Sequence, residues 1–123
     1  MITQQVLLLL VLLQLKHLVI DWLWQTPYEL ANKGTYLHRG GQQHAVKHAF
    51  FSAVCFAFYT NPVYCVGIFF MDFLVHYHID WAKMKLNKSS RWTPADPGYY
   101  WLMGIDQFLH QTTYLLLVWI FCL

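Results

Sequence analysis

Each of the four apolar stretches of this chain carries two metal-ligating or acid/base residues four positions apart: His17 and Asp21, His44 and His48, His76 and Asp80, Asp106 and His110. Residues at i and i+4 share a helix face, so the spacing predicts helices that each bear one polar stripe. Ionisable groups inside a bilayer are disfavoured by roughly 2.5 to 3.5 kcal/mol each on insertion scales. Nine of them, counting Asp72, are tolerable only where they meet one another, and the simplest meeting place is a single buried polar site.

The bilayer enters because the chain is 58% hydrophobic and 19% aromatic with 11% charged residues, too apolar for an ordinary soluble domain of 123 residues. A hydrocarbon core of about 30 Å takes roughly 20 residues per helix. The expectation is one all-α domain over residues 1–123, an antiparallel bundle of four transmembrane helices with spans at about 4–24, 44–60, 62–82 and 98–122. Strands with open edges are excluded, because lipid cannot satisfy their backbone groups. Residues Val6 to Leu13 have the apolarity of a signal-peptide core. No basic residue precedes them and no small-residue cleavage site follows, so the stretch reads as a retained first span. Cys55, Cys65 and Cys122 have the spacing of neither a zinc ribbon nor a disulfide framework and read as small apolar residues.

Basic residues are distributed unevenly. Lys33, Arg39 and Lys47 surround the first connection and Lys83, Lys85, Lys88 and Arg91 the third, while the amino terminus, the turn at 60–62 and the carboxyl end have none. By the positive-inside rule both basic connections face the cytoplasm, and both termini and Asn61-Pro62 lie on the outer side of an inner membrane. This topology sets depth. His17 and Asp21 lie in the last turns of span one, His44 and His48 in the first turns of span two, and Asp72, His76 and Asp80 descend the inner half of span three. Asp106 and His110 begin roughly 12 Å into span four, at 1.5 Å per residue. All nine therefore fall at one level of the inner leaflet, and the outer half, Val6 to Leu13 with Cys55 to Tyr59, Val63 to Phe70 and Leu115 to Leu123, is nearly free of charge. Lys16 is the exception inside span one, its stem snorkelling to an interface or its ammonium pairing with an acid.

Imidazole nitrogens and carboxylate oxygens suit zinc first, and manganese or iron, as one or two divalent ions. The ligand candidates are His17, Asp21, His44, His48, His76, Asp80, Asp106 and His110, and the catalytic carboxylates Asp72, Asp80 and Asp106. The competing structural reading is that each pair is a His–Asp hydrogen bond stapling helices. Against it, His44 and His48 cannot neutralise each other as an acid and a base can. Ser52 and Gln25 continue two of the stripes by four residues, as substrate-orienting groups or plain interhelical contacts. Gln107 and Gln111 point about 100° away from the stripe, toward a neighbouring helix. His78 and His38 stay outside the site. Arg39-Gly40-Gly41 reads as a flexible turn with a basic anchor, or as a mobile flap over the site. Trp22, Trp24, Trp81, Trp92, Tyr99, Tyr100 and Trp101 form an aromatic belt. There is no Gly-rich phosphate loop, no Ser nucleophile motif and no Cys-x-x-Cys.

The segments HLVIDWLWQTPYELANK, HAVKHAFFSAV, HYHIDWAKMK and IDQFLHQTTYLL resemble the successive motifs of the domain of unknown function 3307 family, small multispanning membrane proteins of bacteria and their phages. The resemblance covers all four spans. It maps His17, Asp21 and Gln25 to the first motif, His44 and His48 to the second, His76 and Asp80 to the third, and Asp106, Gln107 and His110 to the fourth. Asp72 and His78 lie beyond the pattern, and the family implies no reaction.

The functional expectation is a metal-dependent hydrolase in the membrane, its ions activating water at the inner leaflet with a spare Asp or His as general base. Its location points to a lipid, lipid-linked phosphate or amide substrate, with the bilayer as partner and no nucleic acid. The alternatives are an ion or proton channel or metal transporter using the cluster as a relay, with a homo-oligomer supplying a path that the apolar outer half of one subunit lacks, or a structural phage membrane protein.

Overall fold

Prolines and side-chain caps set where the helices begin. In the computed structural model, which describes residues 3–123, Pro27, Pro62 and Pro97 each lie in the first turn of a helix, where a missing N–H costs nothing. Helix α1 spans Thr3–Leu18 and runs into a π-helical turn, Val19–Leu23, closed by the Trp24 N–H donating to the Val19 carbonyl at 2.8 Å. A short α2, Pro27–Asn32, then precedes α3, Arg39–Ala57, α4, Pro62–Ser90, and α5, Pro97–Cys122. No strand occurs among the described residues.

The four long helices match the four expected segments, but the first and third connections differ from expectation. Helix α3 begins at Arg39, five residues before the expected start, so Arg39-Gly40-Gly41 is neither a flexible turn nor a flap: it is the first turn of a helix, capped by His38 Nδ1 accepting from the Gly40 N–H at 3.1 Å. Helix α4 continues to Ser90, which shortens the third connection to residues 91–96. The first connection contains α2, fixed by a capping box in which the Glu29 N–H donates to Thr26 Oγ1 at 3.2 Å and the Thr26 N–H to Glu29 Oε2 at 2.8 Å. Lys47 of α3 pairs with the same carboxylate at 2.7 Å and donates to the Trp24 carbonyl at 2.8 Å. Burial raises the pKa of Glu29, but the Lys47 ammonium and the Thr26 N–H outweigh it and hold the carboxyl below its ordinary value.

Gly40 and Gly41 let α2 lie directly on α3. A Cβ on Gly41 would stand 3.2 Å from Lys33 Cα and 3.3 Å from the Tyr77 ring, and one on Gly40 2.8 Å from Asn32 Cβ. Gly41→Val is therefore expected to displace α2 and carry Lys33 out of the core, which faster amide exchange over residues 27–37, with α4 unchanged, would report.

The interior is divided. At the end holding the start of α1 and the end of α5, Leu9, Leu13, Phe56, Ile68, Tyr114, Leu117 and Val118 form a closed apolar core. Beyond it most buried residues are polar, among them Lys16, His17, His44, His48, Ser52, Asp72, His76, Asp80, Asp106 and His110, with Ile20, Ala45, Ala49 and Tyr77 packed between them. The outer surface is the reverse, with Leu7, Val11, Phe58, Val63, Phe70, Phe108 and Trp119 all more than half exposed. Two helical segments, Thr3–Leu23 and Pro62–Ser90, are long and apolar enough to cross a membrane. Helices α3 and α5 have the length, but the polar residues they bring to the interior, with Arg39, Gln42, Gln43 and Lys47 on α3 and Gln107 and Gln111 on α5, lower their apolarity.

Candidate metal centre

Four elements supply the polar cluster. The π-turn places Asp21 on the inner face of α1's end, where its carboxylate meets His17 Nε2 at 3.4 Å, His44 Nε2 at 3.0 Å and His48 Nε2 at 3.6 Å. A π-turn inserts an extra residue per turn and re-aims side chains, and such turns concentrate at functional sites. Asp80 of α4 collects His44 Nε2 at 3.2 Å, His76 Nε2 at 3.6 Å and His110 Nε2 at 3.4 Å, and Asp106 meets His110 at 3.4 Å. The imidazoles of His48 and His76 stack with centroids 3.7 Å apart, and His76 and His110 lie at 4.1 Å.

His44 Nε2 donates to Asp21 Oδ1 at 3.0 Å, but most of the other groups are close without being hydrogen-bonded. His48 Nε2, both nitrogens of His76, both oxygens of Asp80, Asp106 Oδ1 and His110 Nε2 are fully buried and make no hydrogen bond, although their partners lie within 3.6 Å. Leaving so many polar atoms buried and unpaired costs about 1–3 kcal/mol each. One such contact, His44 to Asp21, has the form of a staple between helices; the unpaired atoms of His48, His76, Asp80 and His110 are not aimed at one another in this way and converge on common points instead. Two such points exist: Asp21, His44, His48 and His76 offer ligand atoms within 4.8 Å of one another, and so do His76, Asp80 and His110. The ligands of a tetrahedral zinc at about 2.0–2.1 Å stand about 3.3–3.4 Å from one another. The carboxylate–imidazole separations, 3.0 to 3.6 Å, match that spacing, and the donor set of imidazole and carboxylate fits zinc, manganese or iron. His76 belongs to both groups.

Not every expected ligand joins them. His17 lies against the cluster, its ring 5.2 Å from that of His110, but both its nitrogens are engaged: Nε2 donates to Gln107 Oε1 at 3.0 Å and Nδ1 pairs with the Tyr114 hydroxyl at 2.9 Å. Gln107 makes the neighbouring-helix contact expected of it and also donates from Nε2 to Asp106 Oδ2 at 3.1 Å. A chain of hydrogen bonds thus runs from Lys16 through Tyr114, His17 and Gln107 to Asp106, leaving Asp106 Oδ1 turned to His110. Gln25 lies 3.2 Å from His44 Nε2 and 3.4 Å from Asp21, as its place on the stripe predicts. His78 bonds the Leu74 carbonyl on the outside of α4.

Asp72 stands apart, nearer the apolar core. Ser52 Oγ donates to it at 2.6 Å and Lys16 Nζ lies at 3.4 Å, the ammonium also donating to Tyr114 Oη at 2.9 Å and the His48 carbonyl at 3.2 Å. Lys16 therefore pairs inward rather than snorkelling. Two further lysines reach the cluster: Lys83 lies 3.4 Å from Asp106, and Lys33, a loop charge by the positive-inside rule, is 4% exposed and 3.3 Å from Asp80. Burial lowers the pKa of Lys33, but the carboxylates of Asp80, Asp21 and Asp106 outweigh it and raise it above the ordinary value.

A helical bundle closed at one end by apolar side chains, and holding a buried His/Asp cluster behind the other, defines the class. Residues 8–123 match the family model described as a protein of unknown function, DUF3307, and the chain belongs to that family. No curated protein and no solved structure matches it.

Proposed function

We propose that the protein is an integral membrane metal-dependent hydrolase, with one or two divalent ions, zinc foremost, held by Asp21, His44, His48, His76, Asp80 and His110. The observation that carries this reading is the convergence of buried ligand atoms on common points, those of His48, His76, Asp80 and His110 without a hydrogen-bond partner. An ion held there supplies Lewis acidity and acidifies a bound water toward neutral pH. Asp106 Oδ1, unbonded and beside His110, is the carboxylate placed to take a proton, while Gln107 holds its other oxygen. Asp72, paired with Lys16 and Ser52, serves the bundle instead.

The membrane setting is supported by the inside-out distribution of side chains, polar within and apolar without, and by the two apolar helices. In this reading α1, α3, α4 and α5 all span, the basic connections lie in the cytoplasm of a bacterial or phage-infected cell, and the substrate is a lipid or lipid-linked molecule. The packed core of Leu9, Leu13, Phe56, Ile68 and Leu117 favours a hydrolase over a conductor, since it offers ions no route through the subunit.

The test is elemental mass spectrometry of protein purified in detergent with neither added metal nor chelator. One to two ions of zinc, manganese or iron per chain are expected. Folded protein that contains none and takes none up would end this reading.

A further inference from the structure

The cluster has a polar mouth. A cavity of about 320 Å³ opens beside it between the end of α1, α2, the late turns of α4 and the start of α5. Its polar lining is Asp21, Gln25, Lys33, Lys83, Tyr99 and Gln107. We infer that this mouth is a phosphate-binding pocket and that the substrate is a phosphate ester, a conclusion that rests on the hydrolase reading above.

Charge makes the argument. Three carboxylates, Asp21, Asp80 and Asp106, face two lysines, Lys33 and Lys83, so with neutral histidines one divalent ion already makes the site net positive. A neutral amide or acyl ester gains from such a field only as charge develops in its reaction, whereas an anion gains from it on binding. Each ammonium has three donors and spends one on a cluster carboxylate, and Gln107 spends one amide hydrogen on Asp106 and keeps another. Donors of this kind, converging from three segments, suit the several acceptor oxygens of a phosphate. Asp21 alone opposes it, and as a metal ligand its charge is taken up by the ion. Trp22 and Tyr99 at the same rim fit a mouth at headgroup level, where the phosphate of a lipid or of a soluble ester could enter.

Calorimetric titration of the zinc-loaded and the metal-stripped protein in detergent, with inorganic phosphate and with short-chain phosphatidic acid, tests the pocket. Both ligands are expected to bind the zinc-loaded form, and Lys83→Gln to weaken both by about tenfold or more with metal content unchanged, whereas Lys83→Arg keeps binding. Much tighter binding of phosphatidic acid assigns the phosphate to a lipid; equal binding assigns it to a soluble ester. Protection of Lys83 from amine acylation by phosphate checks the same contact without a variant. Zinc-loaded protein that binds neither ligand, or Lys83→Gln and acylation that are both indifferent to phosphate, overturns the pocket and leaves the metal centre standing. Phosphate binding that depends on Lys83 in a protein that takes up no metal keeps the pocket and removes the hydrolase.

Discussion

Replacing His76 by alanine is expected to lower metal affinity by at least about a hundredfold, more than the loss of any other single imidazole. Removing even a supporting partner of a metal ligand typically costs 10–100-fold, and His76 is a member of both ligand groups. Its ring lies between those of His48 and His110, at 3.7 and 4.1 Å, so its removal opens the centre of the cluster as well as deleting a ligand. The measurement is zinc per chain after dialysis against a zinc buffer, with helical circular dichroism as the control for folding. His78→Ala, two residues away on the exposed face of α4, should retain full occupancy. Equal metal in His76→Ala and the unaltered protein would show that His76 is not a ligand and that the two groups do not share it.

Lys16→Met should have the largest effect on stability, about 3–5 kcal/mol, because breaking a buried ion pair leaves its partner's charge uncompensated. Asp72 is 1% exposed and would keep only the Ser52 hydroxyl. The double variant Lys16→Met with Asp72→Asn should recover most of the loss, since an amide still accepts from Ser52 and no charge remains. Thermal unfolding in detergent reads both. The double variant also separates roles: full metal content with normal turnover makes Asp72 structural, whereas full metal content with turnover abolished would return Asp72 to the catalytic residues.

The helices and most of the cluster were legible because the side-chain period of a helix is fixed. His44 and His48, or His76 and Asp80, have only one way to share a face, and apolar flanks leave that face only the interior to occupy. Much of what escaped lay outside the apolar stretches. The Thr26-Pro27-Tyr28-Glu29 sequence is a capping-box signature that announces α2, and with α2 goes Lys33, whose burial no charge rule suggests. Gly40 and Gly41 read as a loop because glycine usually marks one; here their missing side chains let two helices touch. Tyr114 could have been found by taking the Asp106 and His110 stripe one step further, to the next position four residues on. The π-turn leaves no sequence trace of this kind, and the resulting reach of Asp21 to His48 on another helix follows only from the fold.

The apolar core at the end of the bundle, from Leu9 to Val118, has an energetic consequence for a protein seated in an energised membrane. If the proposed hydrolase works through the mouth beside Lys33 and Lys83, water, substrate and protons enter and leave on that side of the core, so any proton released in one turnover returns to the compartment it came from. No charge would cross the electric field, and the rate would be indifferent to the transmembrane voltage.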